Sequence, residues 1–324
     1  MVSAEQPKVA VTDDWQGAAR AAADWSALEA RAQLHFFSEP FADEQAAVAA
    51  LAPFAVIVPM RERLRFPRTL LCRLPQLRML ALTGYGTAHI DMSYCAEHGI
   101  VCCGSGAYTP TAPAEMTLGL MLAASRQIAA GDAAMRAGGF QSGIAPGRTL
   151  EGQTLGLIGL GRIGARVATY AQAFGMNVIA WSTHLSEQQA QQAGATRVSK
   201  TDLLRQADIV SLHLVLSDRS RGTLGAPELA LMKPGALLVN TSRGPLVDEP
   251  ALIDALRAGS IRAALDVYDC EPLPSEHPLR TAPNSVLTPH LGFTTERTFA
   301  RFYGESVENV LAYLDGHPIR ILTS

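Results

Sequence analysis

Apolar residues fall along this chain in two rhythms: short unbroken runs, and longer stretches in which they recur at helical spacing. Unbroken runs bounded by turn residues read as buried strands, and the recurrent stretches read as amphipathic helices. Near the start, residues 9–12, 54–59 and 77–83 read as strands and residues 18–32 as one Ala-rich helix. A long helical stretch follows over 109–127 and 130–136. Beyond it the alternation becomes regular, with strands at 153–158, 177–181, 208–214, 236–241, 261–267 and 286–288 and helices between them. The helix over 162–174 closes at Gly175, another runs from Ser186 to a stop at Gly194, and a third opens with Asp248-Glu249-Pro250 and stops at Gly259. Serine, aspartate and proline at a helix start and glycine at its end are what the orphaned terminal amides and carbonyls call for. A last helix over 295–314 carries Phe299, Phe302, Val307 and Val310 on neighbouring turns and is expected to pack on the first domain.

Strands alternating with helices make parallel sheets covered on both faces. The expected fold is α/β: two Rossmann-like doubly wound parallel-sheet domains with a cleft between them, residues 1–105 with 293–324 forming one and residues 106–292 the other. A chain of 324 residues has the length for two domains of roughly 100–200 residues each. Its 27 basic and 30 acidic residues leave a net charge of −3, without the basic surplus that a phosphate backbone attracts, so no nucleic-acid partner is expected. No apolar run approaches the ~20 residues of a membrane span, and the start lacks the basic and apolar segments of a secretory leader. The five cysteines show no CxxC spacing, which points to reduced thiols and no metal site. A cytoplasmic protein without membrane association is the expectation.

Gly159-Leu160-Gly161-Arg162-Ile163-Gly164 stands between a predicted strand and a predicted helix, the setting in which a GxGxxG pattern is informative. Gly159 permits the tight turn, Gly161 lets a pyrophosphate approach the backbone, and Gly164 lets helix and strand touch. The amides of Arg162 and Ile163, at the positive helix end, would hold phosphate oxygens. The acidic residue that usually binds the ribose hydroxyls, about 20 residues further on, is absent, and Ser182, Thr183 and His184 stand at the end of the second strand instead. No carboxylate repels a 2′-phosphate there, yet no Lys or Arg between Arg166 and Arg197 grips one. The pattern favours NAD(H) only slightly over NADP(H).

Three later segments carry polar groups suited to reducing an α-keto acid. Arg243 follows a predicted strand, where open parallel sheets bind ligands, and could fork onto a carboxylate; by position alone a surface ion pair is the commoner fate of an arginine. In residues 266–272, Glu271 could orient an imidazole and stabilise its protonated form, and Asp266 could meet a nicotinamide carboxamide; acids in such loops are otherwise simply solvated. His290, in Thr288-Pro289-His290-Leu291-Gly292, could give a proton to a carbonyl oxygen as hydride arrives and take it back in reverse, although a lone histidine is more often structural.

The order of glycine turn, arginine, glutamate and histidine resembles the D-isomer-specific 2-hydroxyacid dehydrogenases, the family of phosphoglycerate, glycerate and D-lactate dehydrogenases. The resemblance runs from Pro59-Met60-Arg61-Glu62-Arg63 through Leu82-Thr83-Gly84-Tyr85-Gly86 to residues 288–292. It implies an NAD(P)-dependent oxidoreductase interconverting 2-oxo acids and D-2-hydroxy acids. In it Arg243 would anchor the carboxylate, His290 would serve as acid-base group with Glu271 as its partner, and Asp266 would contact the nicotinamide. Thr241 and Ser217 would contact the cofactor as well, the latter in a Val215-Leu216-Ser217 segment that departs from the family's Pro-Leu-Thr. Gly84-Tyr85-Gly86 looks like the family's Gly-Val-Gly turn, with Gly86 and Tyr85 at the substrate and the bulkier Tyr85 trimming the pocket. Arg61 matches a position that touches the distal end of the substrate in phosphate-using members, where a plain surface arginine is an equal reading. Residues 103–109 depart from the family's Asn-x-Pro-Gly-x-Asn and carry no contact over. A homodimer is implied, with 109–127 as its contact. The alternative is a non-catalytic NAD(H)-responsive binding protein of the same fold.

Overall fold

The structure, a computed structural model, describes residues 6–106 and 109–323. Expectations for residues 1–5 and for Ala107 and Tyr108 fall outside them. The first strands and helices are β1 (Lys8–Thr12), α1 (Ala19–Ala22), α2 (Ser26–Glu29), β2 (Gln33–Phe36), α3 (Glu44–Leu51), β3 (Val56–Pro59), α4 (Arg68–Leu71), β4 (Met79–Leu82), α5 (Met92–Glu97) and β5 (Val101–Gly104). Their strands form a parallel sheet in the order β2-β1-β3-β4-β5. There follow α6 (Thr111–Ser125), α7 (Ile128–Arg136), β6 (Thr154–Ile158), α8 (Arg162–Ala173), β7 (Asn177–Trp181), α9 (Glu187–Gln192), β8 (Thr196–Arg197), α10 (Lys200–Gln206), β9 (Ile209–Leu212), α11 (Ala226–Leu231), β10 (Leu237–Asn240), α12 (Glu249–Arg257), β11 (Arg262–Leu265) and β12 (Ser285–Leu287). These strands make a second parallel sheet, β12-β11-β10-β9-β6-β7-β8. The closing helix α13 (Glu296–Leu314) belongs with the first sheet, so the described residues up to 106 and from 295 form one compact unit and 109–294 the other.

Burial explains why unbroken apolar runs became strands. Every residue of β3, β4, β9 and β10 is buried. In the second unit, side chains alternate between two cores: Ile158, Val210, Leu238 and Leu265 face one side of the sheet, and Leu157, Ile209, Val239 and Ala264 face the other, together with Met121 of α6 and Val167 of α8. That alternation is what helices on both faces of a sheet require. In the first unit, Thr295 caps α13 by accepting the Thr298 amide, and Phe299, Phe302, Tyr303, Val307 and Val310 are buried. Among the described residues no helix is long and apolar enough to cross a membrane.

Several elements differ from the pattern-based expectation. The single helix expected over 18–32 is two short ones. Ala23 is extended at φ −147°, ψ 160°, which turns Trp25 inward so that its Nε1 donates to the Ala19 carbonyl at 2.9 Å and its ring packs edge-on against Phe36. A buried indole with its N–H satisfied outweighs the helical hydrogen bonds given up. The stretch over 109–136 is likewise two helices, broken where Gln127 takes a left-handed φ of 57°. Strands β2, β5 and β8 went unread: β2 alternates exposed and half-buried residues as an edge strand does, and β8 spans two exposed residues at one edge of the second sheet.

Candidate active site

The glycine turn is built by close approaches that a side chain would forbid. Gly159, directly after β6, has φ +100°, and a Cβ there would lie 2.5 Å from the His213 carbonyl oxygen at the end of β9. A Cβ on Gly164 would lie 2.2 Å from the Gly159 oxygen, whereas one on Gly161 would meet no heavy atom within 4 Å. Gly161 precedes α8 in extended conformation and brings no side-chain cap. An open space above uncapped first-turn amides is what a pyrophosphate needs, so these residues fit a dinucleotide, with the Arg162 and Ile163 amides at the helix start. Ser182 is half-buried and Thr183 and His184 exposed in the turn after β7. Ser217 is exposed, with its amide donated to Ser220 Oγ at 2.8 Å. Thr241 is buried, its hydroxyl 2.8 Å from that of Thr117 on α6.

Sheet order brings the loops that carry the candidate side chains to one edge. Strands β10, β11 and β12 are neighbours and parallel, so the segments beyond their carboxyl ends share one edge, the edge at which such sheets bind ligands. Half-buried Arg243 follows β10 in a loop braced by Asn240, whose Nδ2 donates to the Arg243 carbonyl at 2.8 Å and whose Oδ1 accepts the Ser242 amide at 3.1 Å. Its Nη1 donates to the Ser242 carbonyl at 2.7 Å. The next residue, Gly244, lies so close to the following loop that a Cβ would stand 2.1 Å from the Tyr268 carbonyl carbon. Only glycine lets the arginine loop and the glutamate loop meet this closely.

Glu271 Oε2 and His290 Nδ1 are 2.5 Å apart, with side chains 32% and 27% exposed, so the pair is sheltered yet reachable. Glu271 Oε1 accepts the Tyr268 amide at 2.9 Å. His290 has φ +54°, a left-handed conformation for a non-glycine residue, and it is held there from both sides. Asp266, fully buried, accepts the Leu291 and Gly292 amides at 2.7 Å each and the Thr288 hydroxyl at 2.6 Å. Burial pushes the Asp266 carboxyl up, against the pull of these hydrogen bonds and of His290. The visible work of Asp266 is therefore to hold the histidine loop. With Nδ1 turned to Glu271, the Nε2 side of the imidazole faces away from that carboxylate. Among the described residues no three His, Cys, Asp or Glu side chains gather as metal ligands.

In the first unit, Arg61 also takes a left-handed φ, 55°, and its amide donates to Thr83 Oγ1 at 2.7 Å. Its guanidinium lies against Gly84, where a Cβ would come within 2.3 Å of Nη1, and 3.5 Å from the Glu62 carboxylate. Gly84 has φ +136°, and Tyr85, 48% exposed, lays its ring over Gly104. Gly86 is exposed beside Glu62. Sequence reading did not single out Tyr268, Thr288 or Gly244 as parts of the site. The first two act on the histidine and glutamate through the Tyr268 amide, the Thr288 carbonyl and their hydroxyls, a mixture that leaves no motif; the glycine directly after Arg243 was the one available signal.

Residues 118–292 match the family model described as D-isomer specific 2-hydroxyacid dehydrogenase, NAD binding domain. A glyoxylate reductase of Aeropyrum pernix is 41% identical over 255 residues, 76% of either chain. A D-3-phosphoglycerate dehydrogenase of Methanocaldococcus jannaschii is 37% identical over 262 residues, which are 79% of this chain but 50% of that longer protein. The crystal structure of a phosphoglycerate oxidoreductase from Vibrio cholerae superposes with a TM-score of 0.90 at 36% identity, covering 96% of this chain and all of that one. With matches of this extent on a fold of two parallel α/β sheets, the chain belongs to the D-isomer specific 2-hydroxyacid dehydrogenase family of NAD-dependent oxidoreductases.

Proposed function

We propose that this chain interconverts a 2-oxo acid and its D-2-hydroxy acid, with His290 as the acid-base group. The observation that carries the proposal is the 2.5 Å His290–Glu271 contact at the carboxyl edge of the sheet that bears the glycine turn. A bound nicotinamide dinucleotide supplies the hydride for reduction and accepts it in oxidation. Glu271 fixes the ring through Nδ1, so the proton given to the carbonyl oxygen leaves from Nε2. Arg243 forks onto the substrate carboxylate and keeps the carbonyl oriented. In the first unit, the Gly84–Gly86 turn and Arg61 are proposed as substrate contacts.

No Lys or Arg stands beside Ser182, Thr183 and His184 to grip a 2′-phosphate, which supports a slight preference for NAD(H) over NADP(H). A homodimer is proposed too. Helix α6, where the contact was expected, contributes Leu120 and Met121 to its own unit's core. The next helix, α7, has no buried residue and exposes Ile128 and Met135 at 54% and 58%, with Phe140 beyond it at 69%. An apolar face of this kind suits a second copy, and light scattering of the wild type and of Met135→Glu tests it.

Activity is tested by following NADH and NADPH oxidation with glyoxylate, hydroxypyruvate, pyruvate, phenylpyruvate and phosphohydroxypyruvate. Turnover that is faster with NADH is the expected result. Tight NADH binding without turnover of any of them would overturn the catalytic reading in favour of a binding protein.

A further inference from the structure

Outside the acid-base pair, buried Tyr268 bonds Glu271 directly and reaches His290 through the Thr288 carbonyl. We propose that Tyr268 is a positioning residue that fixes the His290–Glu271 geometry through two separate groups, its hydroxyl and its amide. This rests on the reading of His290 as the acid-base group. The Tyr268 hydroxyl donates to the Thr288 carbonyl at 2.9 Å, and the same carbonyl accepts the backbone N–H of His290 at 3.1 Å. The phenol thus anchors the carbonyl from which the histidine's own amide hangs. The Tyr268 N–H holds Glu271 Oε1 at 2.9 Å, which leaves Oε2 facing His290 Nδ1.

With Asp266 gripping the two amides that follow His290, the residue is clamped on both sides in a conformation that an L side chain leaves readily when released. Tyr268 is buried at 7% exposure, and its ring packs in the core on one face of the sheet. Burial, with the Asp266 and Glu271 carboxylates nearby, pushes its phenol up, so it remains a donor across the pH range of any assay.

The test compares Tyr268→Phe with Tyr303→Phe. The first keeps the ring and its packing while removing the hydroxyl held by Thr288; the second removes a buried hydroxyl that has no hydrogen-bond partner. Two readouts are taken: steady-state kcat and KM, and the downfield proton resonance of the His290 Nδ1–H in its short contact with Glu271, assigned by its loss in Glu271→Gln. Misplacing a reacting group by about 1 Å costs on the order of 100-fold, and a partial release is expected to cost about 10-fold in kcat.

Tyr268→Phe should lose or broaden the resonance and lower kcat about 10-fold with the KM for NADH unchanged, while Tyr303→Phe should keep both. An unaltered resonance in Tyr268→Phe, whatever its kcat, overturns the proposal, as does a lost resonance with wild-type kcat. If the wild type turns over no 2-oxo acid but the resonance is lost in Tyr268→Phe alone, the positioning role stands and the catalytic reading falls.

Discussion

Replacing Gly161 and Gly164 by alanine, one at a time, separates holding a cofactor from holding the fold. At Gly161 the new Cβ meets no heavy atom within 4 Å, and the backbone at φ −79°, ψ −160° is open to alanine. Loss of glycine's freedom in the unfolded chain then adds about 0.4–1 kcal/mol of stability. For a unit of this size that is a melting temperature unchanged or raised by about 1–4 °C. The methyl group fills the space a pyrophosphate must use, so NADH affinity falls about 10- to 100-fold, equivalent to about 1.4–2.8 kcal/mol.

At Gly164 the Cβ stands 2.2 Å from a backbone oxygen, which cannot swing away as a side chain could. Helix α8 has to move off its strand, at a cost of about 3 kcal/mol and about 6–12 °C of melting temperature. Thermal melts without cofactor, together with titrations followed by NADH fluorescence, read both quantities. Wild-type NADH affinity in Gly161→Ala would refute the placement of phosphates at this turn, and a wild-type melt in Gly164→Ala would refute the packing argument.

His290→Ala should lower kcat by about 10²- to 10⁴-fold while leaving the dissociation constant for NADH within twofold of the wild type, and an unchanged kcat would remove His290 from its role. His213 links pH to stability: its Nδ1 is buried without a partner, and burial pushes its imidazole down to about 4. The unfolded chain takes up the proton near 6.5 and the folded chain does not. This contribution is therefore fully present above pH 6.5 and is lost as pH falls towards 4. At about 1.4 kcal/mol for each pH unit, the loss comes to about 3 kcal/mol. Urea unfolding of the wild type and His213→Asn at pH 7 and pH 4.5 should show the steeper fall in the wild type, and parallel curves would contradict it.

The second unit was the more legible one, for physical reasons. Its strands are buried on both faces and so consist of apolar runs, and its helices begin and end on residues that cap them, such as Ser186 with its reciprocal bond to Gln189 and Asp248 on the Ala251 amide. Glycine spacing marked the turn because Gly159 and Gly164 make close approaches that a Cβ would forbid. In the first unit, the tertiary fit of Trp25 overrode the helical pattern of its neighbours, and β2 was hidden because an edge strand has no need to be apolar throughout. At the site, Glu271 and His290 could be read from residue type and order. The carbonyls and amides that hold them could not, since every residue carries those groups and only the folded chain selects which of them meet.

On the proposed acid-base role, the left-handed backbone at His290 sets selection for turnover against selection for stability at one position. Glycine adopts this conformation freely, whereas an L side chain gives up roughly 1–2 kcal/mol there. Of two variants without the imidazole, His290→Gly should then be the more stable and His290→Ala the less. A descendant of this chain that no longer needed to transfer protons would be free to drift towards glycine or asparagine at 290, becoming sturdier as it became inert.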